Sequence, residues 1–154
     1  MNVNQFVYQN RLQPADVVVV KKNFPLLHFL DHYLVYMGQY DDGRHWFMAN
    51  MAGGVRWISQ EELVDRSGNF WVERIRHFGG SHWQRQDAVK KAQSLEGKSY
   101  SFWNFNCENY ANVVQTGQNY SLQVHKAQQV GNGLALTAAV FAFGALLAAA
   151  FDDE

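Results

Sequence analysis

The sequence predicts an α+β fold in which an antiparallel β-sheet packs against helices. Strand-forming runs fill the first half of the chain, turn signals join consecutive strands closely enough for hairpins, and helical periodicity takes over after about residue 80. The 154 residues suit one domain of about 130 residues plus a distinctive tail, enough to bury a core without cross-links or metal. A single cysteine excludes an internal disulfide. Thirteen basic against fourteen acidic residues leave a net charge of −1, and the pairs Lys21-Lys22 and Lys90-Lys91 read as solvated positions, so no nucleic-acid partner is expected. Met1 to Asn10 has neither a basic nor an apolar signal region, and a reducing, cytoplasmic-side location is the expectation.

Each element has a local reason. After a polar start, Pro14-Ala15-Asp16 leads into Val17 to Val20, a continuous β-branched run of the kind found in a buried strand. Phe24 to Leu30 is an apolar connector. Asp31 to Gly38 alternates, placing His32, Leu34 and Tyr36 on one face and Tyr33, Val35 and Met37 on the other. Asp41-Asp42-Gly43 turns the chain into a strand over Arg44 to Met51, and Gly53-Gly54 into a short strand over Val55 to Ile58. Ser59 and Glu62 form a capping box for a short helix ending before Gly68, and Phe70 to Ile75 alternates as a further strand. Trp83 to Glu96 carries Ala88, Val89, Ala92 and Leu95 along one side and stops at Gly97. Tyr100, Phe102, Trp103 and Phe105 form an aromatic connector that feeds the next helix, which closes at Gly117.

That helix begins at the lone cysteine. Asn106 is a good N-cap, Glu108 suits the first turn, and Tyr110, Val113 and Val114 mark one apolar face. Backbone N–H groups at a helix start stabilise a thiolate, so a depressed pKa is expected for Cys107. Beyond it, Leu134 to Phe151 is apolar apart from Thr137. Eighteen helical residues reach about 27 Å, close to the hydrocarbon thickness of a thin bilayer. Lys126 before it and Asp152-Asp153-Glu154 after it suit a C-terminal anchor with its basic flank on the cytoplasmic side. Eight alanines, with Ala138/Ala142 and Gly144/Ala148 at small-xxx-small spacing, equally suit a helix packed on protein or in a homo-oligomer.

Three motifs together resemble the lecithin:retinol acyltransferase-like family, an NlpC-type, circularly permuted branch of the papain-like cysteine hydrolases that includes small phospholipase/acyltransferases. Pro14-Ala15-Asp16-Val17-Val18 resembles its opening strand, His32-Tyr33-Leu34-Val35-Tyr36-Met37-Gly38 its histidine strand, and Gly97 with Asn106-Cys107-Glu108-Asn109-Tyr110 its cysteine box. They span residues 14 to 117 in the family's order, and an apolar tail is also similar to the anchor of several animal members. Asn109 departs from the usual His or Asp. His45, the candidate for the family's second histidine, lies thirteen residues after His32, and Phe47 is the alternative alignment.

The resemblance implies a lead-in over residues 1–13, a catalytic domain over 14–125 and a C-terminal apolar helix within 126–154. It implies a thiol-dependent acyl hydrolase or acyltransferase working on phospholipid esters through a thioester. Cys107 would be the nucleophile, His32 the general base and acid, and His45 the residue orienting His32. Tyr33 or Tyr36 would assist the Cys107 N–H at the oxyanion. Phe102, Trp103 and Phe105 read either as core or as an apolar lip for an acyl chain. A papain-like amidase or peptidase would use the same residues, and a non-catalytic binding module keeping the fold is the third reading. His28, His77, His82 and His125 read as surface or loop residues. One cysteine and histidines without ligand spacing do not make a metal site, and no cofactor is expected.

Overall fold

The computed structural model describes residues 1–21, 31–64, 68 and 70–130. Among these it is an α+β protein built on a five-stranded antiparallel sheet. In chain order the elements are α1 (Val3–Gln9), β1 (Val17–Lys21), β2 (Asp31–Gln39), β3 (His45–Met51), β4 (Gly54–Ser59), β5 (Arg74–Arg76), α2 (His82–Ser94), α3 (Cys107–Thr116) and α4 (Leu122–Val130). The strand order is β4-β3-β2-β1-β5, so the valine strand and the His32 strand lie inside the sheet. Val17 pairs with Val35 and Val20 with His32.

Both faces of the sheet are covered, which explains the unbroken valine run. Val17 and Val19 join Tyr33, Val35 and Met48 beneath Ala88 and Ala92 of α2 and Cys107, Tyr110, Ala111 and Val114 of α3. Val18, Leu34, Tyr36, Phe47 and Ile58 point the other way, against Val3, Phe6 and Val7 of α1. Val3, Phe6, Val7 and Leu12 of the N-terminal lead-in are therefore part of that core layer. Composition hid α1 because its three apolar contacts are spread among polar residues; Asn2 caps it by accepting from Gln5 N–H (2.9 Å).

Two expected elements come out shorter. The Ser59/Glu62 capping box forms, but it starts a single 3-10 turn over Gln60–Leu63, which ends where Val64 turns extended. The strand expected from Phe70 pairs only over Arg74–Arg76. Phe70 instead sets its ring edge-on to Phe6 at 5.2 Å and packs with Phe47 on the α1 face of the sheet, so its alternation came from core packing rather than strand pairing. Gly54, at φ 102, lets β4 pass close to the approach to the cysteine helix: a Cβ there would meet Lys98 O at 2.9 Å. That contact matters because Gly97 N–H donates to Val55 O and Val55 N–H to Lys98 O, tying the end of α2 to the sheet.

Asp16 fixes α2 from the other side. Its carboxylate is 1 % exposed and accepts from Arg85 Nη1 (2.8 Å), Phe78 N–H (2.9 Å), Gln13 N–H (3.0 Å) and His77 Nδ1 (2.9 Å). Burial opposes its charge, yet Arg85 and these donors together hold the carboxyl below its usual range. Among the described residues, no helix is long and apolar enough to cross a membrane. His28 and the apolar segment Leu134 to Phe151, with the anchor or oligomer helix expected there, lie outside the described residues.

Candidate active site

Cys107 is the first residue of α3, and the helix start is fixed by a reciprocal cap. The Asn106 side chain accepts from Glu108 N–H (2.9 Å) and Asn109 N–H (3.0 Å), while Asn109 Oδ1 accepts from Asn106 N–H (3.0 Å). The side chain that departs from the family pattern thus has a local job: it closes the capping box. Gly117, at φ 73, ends the helix in the left-handed conformation.

Glu108 beside the cysteine is 2 % exposed and acts as a buried anchor. It accepts from Tyr33 Oη (3.2 Å), Ser121 Oγ (2.6 Å) and Gln123 N–H (2.9 Å), and Arg74 Nη2 donates in turn to Tyr33 Oη (2.7 Å). One carboxylate therefore docks β2 and the start of α4 against the cysteine helix. Ser121 also accepts from Val124 N–H (3.3 Å), which begins α4.

Cys107 and His32 border the same crevice, together with Tyr100, Phe102 and Gln123. His32 is the second residue of β2 and by alternation belongs with Leu34 and Tyr36; it lines the crevice from the end of the strand, beside Asp31. The crevice leaves about 10 Å³ for a water-sized molecule's centre, room for about one water. The thiol is buried and donates to Asp31 O at 3.5 Å.

Burial reverses the expected pKa shift. It pushes the Cys107 thiol up to about 11, with the charge of Glu108 adding to the rise, while the backbone N–H groups of Tyr33, Glu108 and Cys107 pull the other way and lose. The helix start does what the sequence suggested, but in a site this dry it is the smaller effect. Cys107 is a thiol at neutral pH, and ionising it requires a base. Tyr100 keeps its proton as well, because burial and the neighbouring cysteine both raise its pKa.

The other expected site residues are placed differently. His45 is buried on the face opposite Cys107, where its Nδ1 pairs with Tyr36 Oη (2.8 Å) and its N–H donates to Gln60 Oε1 (3.0 Å). This geometry gives it Tyr36, not His32, as its described partner. Burial lowers its pKa, so it stays neutral at pH 7. Tyr36 lies in that layer too, and Tyr33 spends its hydroxyl on Glu108, so neither is set to meet an oxyanion. Phe105 is core, edge-on to Tyr110 at 6.5 Å. Phe102 lines the crevice, and Trp103, 38 % exposed, sits edge-on to the Phe102 ring at 4.9 Å, so of the three aromatics only Phe102 borders the crevice.

Two crevice residues carried no usable sequence signal. Tyr100 is one aromatic among several in its connector, and Gln123 reaches the site only because Glu108 docks α4 there. Among the described residues, no three His, Cys, Asp or Glu side chains are placed to hold a metal ion. No family model matches the chain, and neither does any curated protein or solved structure.

Proposed function

We propose that the chain is a thiol-dependent acyl hydrolase or acyltransferase acting on phospholipid esters, with a permuted papain-like catalytic domain of the lecithin:retinol acyltransferase type. The observation that carries this reading is Cys107 at the first position of a capped helix, bordering one crevice with His32 from an adjacent strand. Nucleophilic cysteine sites need that pairing of helix start and histidine.

The chemistry follows from the thiol's raised pKa. His32 takes the Cys107 proton as the sulfur attacks the ester carbonyl carbon, and the carbonyl π electrons move to oxygen. The intermediate collapses by expelling the alcohol oxygen, to which His32 returns the proton, leaving a thioester on Cys107. Water or an acceptor alcohol or amine then attacks the thioester by the same route. Because the crevice admits about one water, an acyl chain enters only as the Phe102 side opens. The segment Leu134 to Phe151 would hold the site at a membrane on its cytoplasmic side, and its small-residue spacing would equally serve a homo-oligomer.

The tight crevice and protonated thiol favour a second reading, a non-catalytic binding module that keeps the fold. Fatty-acid release from phosphatidylcholine vesicles separates the two. The wild-type chain is expected to release fatty acid, Cys107→Ala is expected to abolish release, and His32→Ala to slow it strongly at pH 7. Release that survives Cys107→Ala contradicts the proposal, and cleavage of amide but not ester substrates moves the assignment to a papain-like amidase.

A further inference from the structure

Two donors from distant parts of the chain converge on one backbone oxygen in the crevice. The Cys107 thiol points at Asp31 O (3.5 Å), and Gln123 Nε2 donates to that same oxygen (3.0 Å). Both side chains border the crevice that His32 also borders. The arrangement around Gln123 is built rather than incidental. Its backbone N–H is held by Glu108 Oε2 (2.9 Å), and that carboxylate belongs to the residue next to the nucleophile. The backbone of Gln123 is thus tied to the helix that carries the sulfur through one buried group, and its side-chain amide reaches the oxygen that the thiol also meets.

We infer that Gln123 is a catalytic residue of the acyl-transfer site, its side-chain amide donating to the oxyanion that forms when Cys107 attacks. The inference rests on the acyl-transfer reading above and adds to it the donor that reading lacks. Tyr33 is engaged with Glu108, Tyr36 lies across the sheet, and the Cys107 backbone N–H alone makes half of an oxyanion pair. In the attack step the S–C bond forms, the carbonyl π bond breaks and its electron pair goes to oxygen. Gln123 Nε2–H turns from Asp31 O to that oxygen without transferring a proton, and releases it when the C=O bond re-forms and the alcohol leaves. An amide suits this task because it donates at any pH and stays neutral in a dry crevice.

The test compares Gln123→Met, which keeps the shape and removes the donor, with the wild-type chain. Acylation of Cys107 by p-nitrophenyl butyrate should slow about 100- to 1000-fold, chiefly in kcat, the range lost when one oxyanion donor is removed. Alkylation of Cys107 by iodoacetamide, which forms no oxyanion, should change less than about twofold by the same logic. Acylation within about threefold of wild type overturns the inference, and so does a parallel fall of acylation and alkylation, which marks a structural role. In the wild-type chain labelled with 15N-glutamine, capping Cys107 with butyraldehyde as a hemithioacetal should move the Gln123 side-chain amide resonance. An unmoved resonance overturns the inference without any variant. If the wild-type thiol alkylates but never acylates, the acyl-transfer reading falls and takes this one with it.

Discussion

Glu108→Ala is expected to destabilise the protein by about 3–5 kcal/mol, the cost of removing one member of a buried, charge-assisted hydrogen-bond set. The loss is larger than the helix-terminal position suggests. Three donors, Tyr33 Oη, Ser121 Oγ and Gln123 N–H, lose their acceptor at once, and Tyr33 is already committed as acceptor to Arg74. At about 2–4 °C per kcal/mol for a domain of this size, the melting temperature should fall by roughly 10 °C. Glu108→Gln should lose less, since its amide oxygen can still accept from Ser121 and Gln123 while its NH2 donates to Tyr33. Thermal unfolding of the three proteins checks the order wild type, Gln, Ala. Equal loss in both variants would mean that charge, not acceptor geometry, holds α4 in place.

His32→Ala is expected to slow acylation of Cys107 by about 100- to 10,000-fold at pH 7, the range for losing a general base. The pH dependence carries the stronger test. The thiol is pushed up to about 11, so without a base the reactive thiolate is scarce at pH 7 and rises about tenfold per pH unit until the pH reaches that value. The variant's deficit should therefore be largest near neutrality and shrink steadily as the pH approaches 11, where the thiolate forms unaided. A deficit that stays constant across pH 7 to 10 would contradict a proton-accepting role for His32. Stopped-flow release of p-nitrophenol reads both proteins across the range.

The strands were legible in the sequence because their causes are local. Alternation in Asp31–Gln39 and the β-branched run at Val17 report directly which faces are buried, and the sheet uses both faces of the valine strand as that run implies. The start of α3 was legible for the same reason, since Asn106 caps its own helix. What failed depends on residues far apart in the chain. Helix α1 is held by Phe6 meeting Phe70 on the face of the sheet, and α4 by Glu108 reaching Ser121 and Gln123. The thiol's pKa misled for a related reason: the helix start is visible in sequence, whereas the burial that outweighs it is a property of the packed crevice. His45 shows the limit of spacing arguments. It sits on the strand next to His32, yet the register pairs it with Gln39, at the opposite end of β2 from His32, where it meets Tyr36.

The central claim is that Cys107 is an acyl-accepting nucleophile. Intact-protein mass spectrometry after incubation with phosphatidylcholine vesicles tests it most directly. One added fatty-acyl mass is expected, localised to Cys107, sensitive to neutral hydroxylamine and missing in Cys107→Ala. A wild-type chain that stays unmodified while its thiol remains alkylatable, or an acyl mass that persists in Cys107→Ala, would contradict it.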